Sequence, residues 1–178
     1  MDRIINLVEQ DVFRINALDC IFQLNLPQCY LAAGFVRNLV WDYLHNKPKP
    51  TPLNDVDVIY FDIAETQPNK HFEYEAKLKA IMPQVNWQVR NQAKMHIQNG
   101  DKPYLSTLDA MRYWPEYETA IAIRKVNNLD YECISAFGVK SLFALKITRN
   151  PKRDRTTFES RIESKGWLTQ WPKLTISH

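Results

Sequence analysis

The sequence predicts an α/β (α+β) protein built on a mixed sheet with helices mainly on one side. Three observations carry that prediction. Helical and strand-like segments alternate along the chain, the strand candidates are short and apolar, and two of them flank a tight polar turn. With 178 residues, 45% of them hydrophobic and 24% charged, the chain suits one well-cored domain over 1–178. It divides into an N-terminal helical segment (1–26), a core (27–147) and a basic, aromatic C-terminal extension (148–178).

The elements follow in order. Ile4, Ile5, Val8, Val12, Ile15, Leu18 and Phe22 recur at steps of three and four, the spacing of one or two amphipathic helices, until Leu26-Pro27 stops the pattern. Residues 29–32 form a short strand candidate ending at Ala33-Gly34. Phe35, Leu39, Val40, Tyr43 and Leu44 then share a helical face. Three prolines between residues 45 and 53 exclude regular structure. "DVDVIYF" (55–61) alternates and then runs apolar, as a strand does. Residues 70–82 read as a surface helix stopped by Pro83, 85–89 as a strand, and 98–117 mostly as loop with a short helix around 107–112. Residues 119–125 and 131–137 flank "NNLD" as a hairpin. Residues 138–147 and 154–165 read as helical, and the tail "GWLTQWPKL" as packing back on the domain.

Charge and cysteine usage narrow the function classes. The net charge is +3, but residues 146–178 hold eight Lys/Arg against three acids, leaving fifteen against seventeen before them. Such a tail suits a polyanion such as a triphosphate or RNA, or is simply a solvated surface. Cys20, Cys29 and Cys133 show no paired or metal-ligand spacing, and His45, His71, His96 and His178 are scattered. Reduced thiols, no zinc site and a cytoplasmic location are expected. No signal peptide or membrane-spanning run is read, so no membrane partner is expected. Neither a P-loop nor a dinucleotide-binding glycine fingerprint occurs.

The chemistry concentrates in two stretches. Asp55 and Asp57, two apart on a strand, project to one face and can converge on a hard cation such as Mg²⁺; alternatively they cap a turn and sit solvated at a sheet edge. Upstream, "YLAAGFVRNLVWDYL" reads as strand, small-residue turn and helix. Gly34 permits close approach of a ligand, the helix N-terminus offers N–H groups to an anion, and Arg37 adds a charge-assisted contact.

"Ala33-Gly34-Phe35-Val36-Arg37-Asn38" followed by "Asp55-Val56-Asp57-Val58" resembles the signature of the DNA-polymerase-β-like nucleotidyltransferases. It is nearest to the G-G-x-V-R-D … D-x-D of tRNA CCA-adding enzymes. "LNDVDVIYFD", "WQVRNQAKMH", "AFGVKSLFALKI" and "GW…WPKL" are similar to a small bacterial family of nucleotidyltransferases with no assigned substrate. The resemblance implies a polymerase-β-like core and Mg²⁺ or Mn²⁺ on Asp55 and Asp57. It implies an NTP held at Ala33, Gly34, Arg37 and Asn38. The acceptor hydroxyl, on a small molecule, RNA or protein, is left open, as is the oligomeric state. With no segment read as a separate tRNA-binding domain, tRNA is not carried over.

Three departures from the pattern matter. Ala33 replaces the first motif glycine, and Asn38 replaces an aspartate that commonly supports the arginine, leaving Arg37 to find another carboxylate. The third acid of these enzymes, on a later strand, is missing from residues 85–92, where Asn91 is the nearest substitute. An amide oxygen can ligate a cation but is no base. Arg90 and Lys94, with His96, are either phosphate or acceptor contacts or a solvated helix start. Asp62 lies on the opposite parity and has the spacing of a cap with Glu65. Glu73, Glu75, Asp101 and Asp109 are the acids that could complete the site through a loop, or are ordinary surface residues. The expected function is metal-dependent transfer of NMP from an NTP with release of pyrophosphate. The alternative is a catalytically degenerate module that binds nucleotide or RNA on the same fold.

Overall fold

The computed structural model describes residues 1–177; His178 lies outside the described residues. Two helices, α1 (Asp2–Glu9) and α2 (Val12–Gln23), open the chain, the second capped by the Asp11 carboxylate at the Arg14 N–H. β1 (Tyr30–Ala32) leads into α3 (Gly34–Leu44), and β2 (Val56–Tyr60) follows the proline loop. The helix α4 (Lys70–Ile81) carries the chain back to β3 (Trp87–Asn91), and α5 (Gln92–Asn99) and α6 (Thr107–Met111) lead to the hairpin of β4 (Ile121–Lys125) and β5 (Tyr131–Ser135). The last elements are α7 (Lys140–Phe143), β6 (Lys146–Thr148), α8 (Arg155–Lys165), α9 (Trp167–Gln170) and β7 (Thr175–Ser177).

The expected mixed sheet is present. Its order is β3-β2-β1-β4-β5, with β2 and β3 parallel and the other pairs antiparallel. The parallel pair needs a crossover, and α4 supplies it. Strand alternation gives the sheet two unlike faces. On one, Leu31, Val56, Val58, Val89, Ile121 and Ile123 meet Ile4, Val8, Leu18, Ile21, Phe35, Val36 and Trp41 from α1, α2 and α3 in the main core. On the other lie Tyr30, Ala32, Ile59 and Ala122, with Met111 and Trp114 packed over part of them. The site forms on this second face, where Asp57 and Ile59 of β2 line the cavity.

Two stretches depart from the expected elements. The segment 138–147 is helical only through α7, because Leu145 takes φ 55° and turns the chain into β6. β6 then pairs in parallel with β7, an association between distant segments that local pattern does not encode. The strand expected at 85–89 begins two residues later, since residues 83–85 turn out of α4. The aromatic tail returns to the main core: Trp167, Trp171 and Leu174 are buried there, with Trp41 edge-on to both tryptophans. All three cysteines are buried and free. Among the described residues no helix is long and apolar enough to cross a membrane.

Candidate active site

β1 ends at a turn made by Ala33, whose φ of 55° and ψ of −118° belong to a region that suits glycine. Sheet pairing holds it there, since the Ala33 N–H donates to the Ile121 carbonyl at 2.9 Å. The Ala33 carbonyl accepts from the Val36 and Arg37 N–H groups and starts α3. No side chain caps this end, so the Gly34 and Phe35 N–H groups lack an intrahelical partner, and Ala33 and Gly34 line the adjoining cavity. A Cβ on Gly34 would lie 3.5 Å from Arg37 Nη2 and 3.6 Å from Asn38 Nδ2, ordinary contact distances. Glycine is therefore not required here by the chain's own packing.

Asp57 sits beside this turn. In the sheet it is paired with Ala32 on β1 and Gln88 on β3, while Val56 and Val58 point into the core. Asp55 lies just before β2. Both aspartates line a cavity of about 590 Å³ together with Ala33, Gly34, Arg37 and Asn38. Burial, then the neighbouring Asp55 charge, pushes the Asp57 carboxyl up to about 6, with Arg37, Lys165 and Arg161 opposing. A carboxyl raised by burial and by a second acid beside it belongs to a donor set short of positive charge.

Arg37 is buried at 6% exposure, and its fork is held by neutral groups. Nη1 donates to Thr119 Oγ1 at 2.8 Å, and Nε and Nη2 donate to Asn38 Oδ1 at 3.2 and 3.0 Å. The guanidinium lies over Trp167 at 4.4 Å and Trp41 at 5.0 Å. The carboxylate partner expected for it is replaced by Asn38 itself and by Thr119. Burial lowers its pKa to about 10, which leaves it charged at neutral pH. A buried cation with neutral partners at a cavity wall favours an anionic ligand.

The remaining sequence candidates separate. Arg90 lines the cavity, with its guanidinium bonded to Glu75 and Gln88, each at 2.8 Å. Asn91 and Lys94 do not line it. Strand parity turns Gln88 and Arg90 toward the Asp57 face and Asn91 away from it. Asn91 caps α5 at the Ala93 N–H and clasps the Asp62 backbone on both sides, at 3.1 and 2.7 Å. Lys94 pairs with Glu65 at 3.3 Å. The positions beside Asp57 on β3 are thus Gln88 and Arg90, and neither is an acid.

None of the other candidate acids fills the gap. Glu73 pairs with Lys70, Glu75 with Arg90 and Asp101 with Arg153, while Asp109 accepts from the Leu105 N–H; none lines the cavity. Asp62 caps a turn by accepting from the Ala64 N–H at 2.9 Å, and Glu65 takes the Tyr60 hydroxyl at 2.8 Å instead of completing a capping box. Among the described residues no cluster of three or more His, Cys, Asp or Glu side chains could hold a metal.

Sequence reasoning missed most of the opposite wall, formed by residues 51–54 and by Arg161, Lys165, Trp167, Gln170 and Trp171. Asp42 brings that wall in. Its buried carboxylate accepts from the Thr51 N–H at 2.7 Å, the Thr51 hydroxyl at 2.6 Å and Trp171 Nε1 at 2.7 Å. The sequence signals were the basic excess of residues 146–178, the aromatic tail, and the four-residue step from Arg161 to Lys165, which puts both on one helix face.

A family model described as Nucleotidyltransferase matches residues 19–176. An NMR structure described as revealing a CCA-adding enzyme head domain superposes on the chain with a TM-score of 0.87. It is 29% identical in sequence, and the match covers 100% of this chain and 96% of that one. No curated protein matches the sequence.

Proposed function

This chain belongs to the nucleotidyltransferase family, and on that premise we propose that it moves a nucleoside monophosphate from an NTP to an acceptor hydroxyl, with a divalent cation held by Asp55 and Asp57. The observation that carries the reading is one cavity lined by both aspartates, the uncapped Gly34 turn and Arg37. The donor set fits Mg²⁺ or Mn²⁺. Magnesium is commonly bound by one or two carboxylates with water and substrate phosphates completing the shell, and Asp57, raised by Asp55, gains from a positive neighbour. Such an ion would neutralise phosphate charge and favour ionisation of the acceptor hydroxyl.

The chain's own groups do the positioning. The first N–H groups of α3 receive phosphate oxygens, and Gly34 lets the phosphates approach the backbone closely. Arg37, fixed by Thr119, Asn38 and two indole faces, offers a charge that needs no reorganisation on binding. In the transfer, the acceptor oxygen bonds to the α-phosphorus as the bond to the bridging oxygen breaks, and pyrophosphate leaves. The cavity lining holds no third carboxylate, so the acceptor proton departs to water or to a substrate phosphate oxygen. That same absence favours the second reading, a module that binds nucleotide or RNA without turnover.

Incubation with each labelled NTP, Mg²⁺ or Mn²⁺, and extracts of small RNA and metabolites separates the two. Pyrophosphate release that disappears in Asp55→Asn and Asp57→Asn supports transfer. Metal-dependent NTP binding with no release for any acceptor supports the binding module.

A further inference from the structure

We propose that Lys165, one turn beyond Arg161 on α8, is the polyphosphate-binding residue that the C-terminal helix contributes, engaging the portion of the NTP that leaves as pyrophosphate. The inference rests on the nucleotidyl-transfer reading and adds a residue to it. Lys165 lines the same cavity as Gly34, Arg37, Asp55 and Asp57 but belongs to the opposite wall. The four-residue step from Arg161 is ~6 Å along the helix, so the two cations share a face.

Their commitments differ. Arg161 donates to the buried Glu116 carboxylate at 2.7 Å, which fixes α8 against the chain leading into β4. Lys165 has no ion pair among the described residues and is exposed at the cavity rim. It is therefore a cation held in reserve, on a helix that is itself anchored. The anchoring runs to the helix that makes the phosphate turn. Trp167, two residues on, lies over the Arg37 guanidinium, and Trp171 donates to Asp42. Both partners are on α3, so Lys165 is set relative to the Gly34 turn by packing and hydrogen bonds. With Arg37 on the side of the Gly34 turn and Lys165 facing it, positive charge and the two aspartates share one cavity, the arrangement a metal–polyphosphate ligand needs and a neutral ligand does not.

Titration calorimetry in Mg²⁺ tests this with each NTP, with inorganic pyrophosphate and with the matching monophosphates, on wild type, Lys165→Ala and Lys165→Arg. Because Lys165 is exposed and unpaired, both variants are expected to melt with wild type. The expected result is affinity for the NTP and pyrophosphate weakened about tenfold or more in Lys165→Ala, with the monophosphate changed less than about twofold and Lys165→Arg largely restoring binding. Unchanged NTP and pyrophosphate affinity in Lys165→Ala overturns the inference and leaves nucleotidyl transfer standing. Equal weakening of the monophosphate also overturns it, since that is the mark of a structural role. If wild type binds no NTP at all, the nucleotidyl-transfer reading itself falls.

Discussion

Ala33 is held at φ 55° and ψ −118° between its N–H bond to Ile121 and the Val36 and Arg37 N–H groups that its carbonyl receives. A side chain there costs ~1–3 kcal/mol, whereas glycine costs ~0.5–1 kcal/mol in unfolded-state freedom. Ala33→Gly is therefore expected to stabilise the protein by about 1 kcal/mol in urea unfolding. Gly34 behaves oppositely. It is helical and its Cβ position is free of clashes, so Gly34→Ala should melt within a few degrees of wild type. Its methyl would stand between phosphate and backbone, and NTP affinity should fall at least about tenfold. Asp57 links site and stability. Its carboxyl is raised to about 6 in the folded protein, above its unfolded value, so its contribution to stability is present at low pH and is lost as pH rises through 6. Asp57→Asn should thus be more stable than wild type above pH 6, by at most ~3 kcal/mol, with the difference vanishing below about pH 4. Metal-dependent NTP binding runs the other way in wild type, weakening toward tenfold per unit as pH falls below 6. Denaturant unfolding and binding titrations across pH 4–8 check both signs.

Among the elements, α3 does the most. Its N-terminus makes the turn, its first five residues include Arg37 and Asn38, and its last turn carries Asp42, which holds both the proline loop and Trp171. Removing that carboxylate strands the Thr51 N–H and the Trp171 indole N–H in buried surroundings. Asp42→Ala should cost about 3 kcal/mol and raise the NTP concentration needed for half-saturation, because residues 51–53 line the cavity. A melting curve beside an NTP titration measures both. The strands show how far local pattern reaches. β2 was legible from the alternation of Asp55, Val56, Asp57 and Val58, and the hairpin from its polar turn. On β3 the pattern was too short to set its start, and an error of two residues there was harmless to parity. The error on Asn91 was one of face: Trp87, Val89 and Asn91 share a side, and only pairing with β2 shows which side carries Asp57.

Over the molecule as a whole, the basic excess of residues 146–178 is not one surface. Arg153 closes on Asp101, Arg161 on Glu116 and Arg155 on Glu159, while Lys165 alone of these four faces the cavity uncommitted. Composition could count these charges but not assign them. The short motifs were enough for the family, the mixed sheet, and the meeting of Asp55 and Asp57 with the Gly34 turn. Their chemistry is local, since period-two alternation and a strand–turn–helix step are written in adjacent residues. The wall opposite them depends on contacts between segments more than one hundred residues apart, such as Trp171 with Asp42. The β6–β7 pair likewise joins distant segments, with β6 starting where Leu145 leaves the helical region. Such contacts are chosen by packing of the folded chain, where Trp41, Trp167 and Trp171 are buried together in the main core.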